Sequence, residues 1–175
     1  MIFLNINEIN IRIDASQFKQ NEIEVIVAIE LVKIYAEVEI FVKNIVILTE
    51  YTAQVQLLKR SLVSDLKVQN VEAYMIDSFQ NEEAFVIILC MMKIKKLNFM
   101  SQFNHLLTVC NHACDSFIIL CNYDELQHDY AHNLHIIQHV QNLFLINKVY
   151  EEYSSQQEFI NFMKTKYQFQ EQKSQ

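Results

Sequence analysis

The chain has 175 residues and a formal net charge of −7, and 51% of its residues are hydrophobic. This length and apolar content predict one compact domain with a sizeable core. The acidic balance argues against nucleic acid as a partner, because phosphate contacts need clustered Lys and Arg. The chain contains no glycine and no proline. Without glycine it cannot form a P-loop or a GxGxxG dinucleotide loop, which argues against most nucleotide-dependent enzymes and favours a non-enzymatic protein.

Residues 1–50 are predicted to form a β-rich portion. The start, MIFLNINEINIRI, alternates apolar and polar residues, and residues 22–48 are dense in Val and Ile. In this second segment, charged residues alternate with apolar ones, as is typical of a strand. A helix stays the alternative, because Glu30, Lys33 and Glu37 also have helical spacing.

The strand interpretation of 22–48 has two consequences. The glutamates between 22 and 39 would form the solvated side of a sheet. Because no Gly or Pro interrupts this region, its strand edges would be poorly protected. We therefore expect self-association, or a protein partner that covers residues 23–47.

Residues 51–175 are predicted to be mainly helical. A helical spacing begins after Tyr51, with four apolar residues on one side: Val55, Leu58, Leu62 and Leu66. Residues 71–77 are predicted to form a last strand, and Ser78 to cap a following helix. Further helices are expected near 80–97, 99–121, 124–147 and 155–170. The predicted fold class is thus α+β, with an N-terminal antiparallel β-rich portion followed by a C-terminal group of three to five helices.

The sequence also predicts where the chain resides. No segment has the character of a signal peptide, and the longest clean apolar run, AFVIILCMM at 84–92, is too short to span a bilayer. We expect an intracellular, cytoplasmic chain with no membrane span. Its four cysteines are expected to be reduced, buried and small apolar residues: Cys90, Cys110, Cys114 and Cys121.

A histidine-rich segment, HDYAHNLHIIQH at 128–139, holds four of the six histidines. On a helical wheel these four side chains form one narrow stripe, opposite the apolar face of the same helix. The stripe consists of His128, His132, His135 and His139. It is predicted to be a surface face that gains charge as the pH falls.

Metal binding is the alternative for this region. Histidines four residues apart on a helix can bind one ion, and Cys110 and Cys114 share that spacing. The resulting C-x3-C-x13-H-x3-H pattern resembles a C2H2 zinc finger, which would imply zinc on the two cysteines and on His128 and His132. The order of His112 followed by the same two histidines also resembles hemerythrin, which would imply non-haem iron.

A third resemblance concerns QHDYAHNLHII, which is similar to the phosphoacceptor box of some sensor histidine kinases and would make His128 the phosphoryl acceptor. None of these resemblances is favoured. The preferred interpretation is a non-enzymatic structural or protein–protein interaction protein, a subunit of a larger assembly, without a cofactor. The alternative is a helical metal-binding module for zinc or iron that uses residues 105–139, with His135 and His139 as further ligands.

Overall fold

The structure, a computed structural model, describes residues 2–5, 11–13, 19–37, 45–65, 71–79, 82–91, 109, 112–121, 152–153 and 161. Two helices and eight strands lie in these ranges. The helices are α1 (Glu22–Glu37) and α2 (Thr52–Asp65). The strands are β1 (Ile2–Asn5), β2 (Ile11–Ile13), β3 (Lys19–Asn21), β4 (Ile45–Thr49), β5 (Val71–Met75), β6 (Ala84–Cys90), β7 (Ala113–Cys121) and β8 (Glu152–Tyr153).

Six of these strands form one sheet in the order β5-β4-β6-β7-β1-β8, and every neighbouring pair in it is parallel. In the middle of the sheet, Ile47 of β4 lies opposite Ala73 of β5 on one side and Ile88 of β6 on the other. β2 and β3 form a separate antiparallel pair. The architecture is therefore α/β, with a parallel sheet at its centre.

The three strands at the centre of the sheet, β4, β6 and β7, are apolar on both faces. Their runs IVILT, AFVIILC and SFIILC are continuous rather than alternating, as is typical of strands that are covered on both sides. One face packs against α1 and α2 through Ile45, Ile47, Val86, Ile88, Ile118 and Leu120. The opposite face forms a second apolar cluster with Val46, Leu48, Ile87, Leu89, Phe117 and Ile119.

Helix α1 is buried over most of its circumference, which explains its high content of Val and Ile. Tyr35, Ala28 and Val32 have no exposed surface, and they belong to the same apolar cluster as the sheet. Its surface side carries an ion pair in which Lys33 Nζ lies 2.7 Å from Glu30 Oε1. A helix that is apolar nearly all round belongs in a core, and α1 fits that rule.

Only eight residues connect β5 to β6, and the described part of this connection lies on the second face of the sheet. A 3-10 turn, Ile76–Ser78, leads to Phe79, which is 2% exposed. The ring of Phe79 lies 6.2 Å from that of Tyr74, between centroids. Parallel strands are usually joined by a dozen residues or more, mostly helical. Phe79 therefore covers part of a face that a helix would otherwise cover.

The predicted α+β fold class is wrong. Residues 22–37 form a helix rather than a strand, while the helices expected near 80–97 and 99–121 are replaced in part by β6 and β7. The six-stranded sheet is parallel, and its strands extend into the portion predicted to be helical. For β6 and β7 the physical reason is burial on both faces, which leaves no alternation to show the period. The charges of 22–37 fit a strand or a helix, and in the structure this segment packs on the sheet as a helix.

Two local predictions are confirmed. The segment after Tyr51 forms α2, and Val55, Leu58 and Leu62 are buried on its inner side. The last predicted strand is β5. The helix expected at 124–147 and most of that at 155–170 lie outside the described residues. The division of the chain near residue 50 stays a prediction.

The reason given for self-association does not hold in the structure. Within 23–47, the described residues belong to α1 and to the start of β4, and β4 is paired on both sides by β5 and β6. The described residues of this segment therefore leave no open strand edge, and self-association stays a prediction. Within the described ranges, no helix has the length and apolar character needed to cross a membrane.

We predict that replacing Ile88 by Ala lowers the free energy of unfolding by about 2–5 kcal/mol, because it removes a fully buried side chain between β6 and α1. Urea unfolding measures this change. The matched control is Val63→Ala on α2, whose side chain is 84% exposed, and it should change the same quantity by less than about 0.5 kcal/mol. Equal effects of the two substitutions would contradict the described core.

Candidate functional site

The carboxyl ends of β4 and β6 form the edge of the sheet where ligands usually bind in parallel α/β folds. Helix α2 begins at Thr52, three residues after β4 ends, so its N-terminus lies at this edge. The N-terminus of α1 lies beside it, because Asn21, the residue before α1, is hydrogen-bonded to Gln54 in the first turn of α2. The two helix N-termini and the strand ends define the candidate site.

Asn21 is the N-cap of α1. Its side-chain Oδ1 accepts hydrogen bonds from the backbone N–H groups of Ile23 and Glu24, at 3.1 and 3.3 Å. Its own backbone N–H donates to Gln54 Oε1 at 2.8 Å, and Gln54 Nε2 donates to the Asn21 carbonyl oxygen at 3.0 Å. This reciprocal pair joins the two helix N-termini, and we refer to it as the Asn21–Gln54 clamp.

The clamp changes the role of Glu24. In a capping box, a glutamate three residues after the N-cap accepts the hydrogen bond from the N-cap backbone N–H. Here Gln54 takes that N–H, and Glu24 Oε2 has no hydrogen-bond partner among the described residues. The Glu24 side chain is 2% exposed. A carboxyl group therefore lies inside the fold without its usual donor.

Burial raises the pKa of Glu24 from the ordinary value of 4.5 to about 8, and the Asn21 side chain opposes this shift by stabilising the charged form. Glu24 is therefore predominantly neutral at pH 7. The thiol of Cys90, at the end of β6, is fully buried nearby. Its pKa is raised first by burial and then by the negative charge of Glu24 when that group ionises.

A second acidic group lies at the end of β4. The pKa of Glu50 is raised mainly by burial and further by the negative charge of Asp77, which follows β5. The pKa of Tyr51 is raised by burial and by the charge of Glu50. Glu50 Oε1 is buried without a hydrogen-bond partner in the described part of the chain. The edge is thus lined by acidic groups, and the charge of Asp77 disfavours the charged form of Glu50.

Such an edge is poorly suited to phosphate. A phosphate site at a helix N-terminus needs open backbone N–H groups and nearby positive charge. At α1, two of those N–H groups already bond to the Asn21 side chain, and Glu22 and Glu24 occupy the first turn. At α2, the residue that follows β4 is Glu50. The arrangement favours protein contacts or cations over anionic ligands.

Two of the residues predicted to bind metal are described, and both lie at the opposite edge, near the start of β7. The His112 ring packs edge-on against Phe79, with centroids 6.4 Å apart. The exposed thiol of Cys114 lies 3.9 Å from Glu83 Oε2. In the described part of the chain, no group of three or more His, Cys, Asp or Glu side chains could hold a metal ion.

The other predicted metal ligands lie outside the described residues: Cys110, His128, His132, His135 and His139. The zinc or iron site and the histidine stripe therefore stay predictions, and elemental analysis of the purified protein tests the first of them. The cysteine prediction is mixed. Cys90 and Cys121 are buried as expected, whereas Cys114 is exposed.

The sequence interpretation missed the residues that organise the carboxyl edge. It placed the glutamates of 22–39 on a solvated sheet face, yet Glu24 is buried. The sequence Asn21-x-x-Glu24 is itself a helix-start signal and could have revealed the N-terminus of α1. Gln54 carried no such signal, because its partner lies 33 positions away in the sequence.

We predict that Gln54→Ala lowers the free energy of unfolding by about 2–3 kcal/mol, because it leaves the buried N–H and carbonyl groups of Asn21 without partners. Gln56→Ala is the matched control, since the same side chain is removed from an exposed position two residues later. It should change stability by less than about 0.5 kcal/mol. Chemical unfolding of both variants measures the difference, and a loss below about 1 kcal/mol for Gln54→Ala would contradict the clamp.

Comparison with known proteins agrees with the parallel α/β architecture. Residues 1–124 match the AAA domain, which covers more than two thirds of the 175 residues and includes every strand of the main sheet except β8. No curated protein matches the chain. The match corrects the expectation of an α+β protein with a helical C-terminal half. The chain belongs to the AAA domain family.

Proposed function

We propose that this chain is an AAA-type domain that does not hydrolyse nucleotide by itself, and that it works as a subunit of a larger assembly in which another domain carries the P-loop. The family match indicates a domain of the P-loop nucleotide-binding type. The single observation that carries the proposal is the absence of glycine from a chain of this family.

A P-loop depends on glycine for physical reasons. Its backbone N–H groups surround the phosphates of the nucleotide, which requires close approach and backbone angles that a side chain hinders. The P-loop sequence also needs two glycines followed by Lys and then Ser or Thr. A loop of this kind cannot form in a chain without glycine. Nucleotide would therefore have to be held by another domain.

The carboxyl edge supports the same conclusion. The connection from β4 to α2 consists of Glu50 and Tyr51, with neither a lysine nor a long loop. The N-terminus of α1 is closed by the Asn21–Gln54 clamp. In P-loop proteins, phosphate binds at the loop between a strand and the following helix. In this chain the loop from β4 to α2 is short and acidic, and the N-terminus of α1 is capped.

The domain retains an apolar parallel sheet with an acidic edge. Asp77 lies close enough to Glu50 for its negative charge to raise the pKa of Glu50. The net charge of −7 also makes the whole chain acidic, which favours association with a basic partner. Complementary charge guides protein association and sets its specificity, so a partner with a basic surface at this edge suits the proposal.

We expect the isolated chain to show no saturable binding of ATP, with or without Mg²⁺, in isothermal titration calorimetry up to millimolar nucleotide. The variant with both Glu50→Gln and Asp77→Asn should behave in the same way, because removing negative charge does not create a P-loop. Binding of one ATP per chain by the unmodified protein would contradict the proposal. Binding by the double variant alone would show that charge, rather than the missing loop, excludes nucleotide.

The assembly is tested separately by chemical cross-linking and mass spectrometry of the chain in extracts of its source, with added ATP or with added ADP. We expect links to a protein whose sequence contains GxxxxGK[ST], and a change in those links between the two nucleotides. Links confined to proteins without that sequence would contradict the proposed role.

A further inference from the structure

Glu24 lies beneath the first turn of α1, inside the fold. Among the described residues, β6 and α2 lie next to this part of the helix. β6 contributes Cys90, whose titration depends on the charge of Glu24. α2 contributes the uncharged Gln54 through its bonds to the N-cap. None of these groups carries a positive charge.

An ionised Glu24 would therefore have no counter-charge among these groups. Its Oε2 also lacks a hydrogen-bond donor among the described residues. A buried carboxylate without a counter-charge is disfavoured, and the Asn21 side chain offsets only part of that cost. The group is therefore protonated at pH 7 or must reach water to ionise. Because α1 packs against β6, water reaches Glu24 if the first turn of α1 moves away from that strand.

That movement would break the contacts at the helix N-terminus. The backbone N–H of Glu24 donates to Asn21 Oδ1, and Asn21 is held by two hydrogen bonds to Gln54. Moving the turn strains the cap and the Asn21–Gln54 clamp together. The protonation of one side chain is thereby connected to the contact between two helices.

We propose that Glu24 is a proton-dependent latch of the carboxyl edge: in its protonated form it holds the first turn of α1 against β6 and α2, and its ionisation releases that turn. The inference does not depend on the proposed lack of nucleotide hydrolysis. A released turn would free the N-terminal N–H groups of α1 and alter the surface that a partner meets.

The direction of the pH dependence follows from proton linkage. In the closed form the pKa of Glu24 is about 8, whereas in an open, hydrated form it returns towards 4.5. Between these values the open form binds fewer protons, so rising pH favours opening. The equilibrium constant for opening should increase about tenfold per pH unit below pH 8 and level off above it.

Hydrogen exchange measures this opening directly. The amides to follow are those of Asn21, Ile26 and Val27, at pH values from 5.5 to 7.5, with rates divided by the intrinsic exchange rate at each pH. In the unmodified protein we expect their protection to fall about tenfold per pH unit. In Glu24→Gln, which keeps the shape of the side chain without its ionisation, protection should be independent of pH.

The matched control is Glu22→Gln. This substitution removes a carboxyl group from the same turn, but at a partly exposed position. The protection of the three amides should therefore fall as the pH rises, as in the unmodified protein. Constant protection in the unmodified protein, or an undiminished fall in Glu24→Gln, would overturn the proposal.

A second measurement covers the case in which Glu24→Gln does not fold. The side-chain carboxyl carbon of Glu24 can be followed by carbon-13 NMR in the unmodified protein. A midpoint well above that of an ordinary glutamate, together with simultaneous shifts of the Asn21 and Gln54 amide signals, would support the latch. A midpoint near 4.5, or a titration that leaves those two signals unchanged, would overturn it.

Discussion

The burial of β4, β6 and β7 on both faces is the constraint on which the rest of this structure depends. A parallel sheet needs cover on each side, because its central strands carry apolar side chains in both directions. One face is covered by α1 and α2, and the described cover of the other includes Phe79 and Val109. Because α1 packs on the first face, most of its surface is apolar. Both helices lie close together because they share that face.

The arrangement at the carboxyl edge follows from that packing. Helices that return to parallel strands begin at the carboxyl ends of those strands, so the N-termini of α1 and α2 meet there. The backbone N–H of the N-cap Asn21 donates its hydrogen bond to Gln54. Glu24, which would accept that hydrogen bond in an isolated helix, is therefore buried with its Oε2 unpaired among the described residues. A proton-sensitive group is thus a consequence of how two helix ends are joined on one sheet.

The sequence predicted elements best where one side of an element is exposed. α2 shows helical spacing because its outer face is polar, and β5 stands out for a similar reason, since Glu72 is exposed. By contrast, FVIILC in β6 and FIILC in β7 are buried on both faces, and a short apolar run of this kind fits a helix or a strand equally well. At the candidate site, the N-cap could be predicted from local sequence, whereas Gln54 depends on a contact across 33 positions.

Membership of the AAA domain family and the absence of glycine are reconciled only if the parallel sheet is retained without the phosphate loop. The most direct measurement of that central claim is the pattern of interstrand nuclear Overhauser effects between β4 and β6. The account predicts contacts of the parallel type around the pair Ile47 and Ile88, without close Hα–Hα contacts across the strands. Strong Hα–Hα contacts between these strands, or helical amide–amide contacts along residues 84–90, would contradict it.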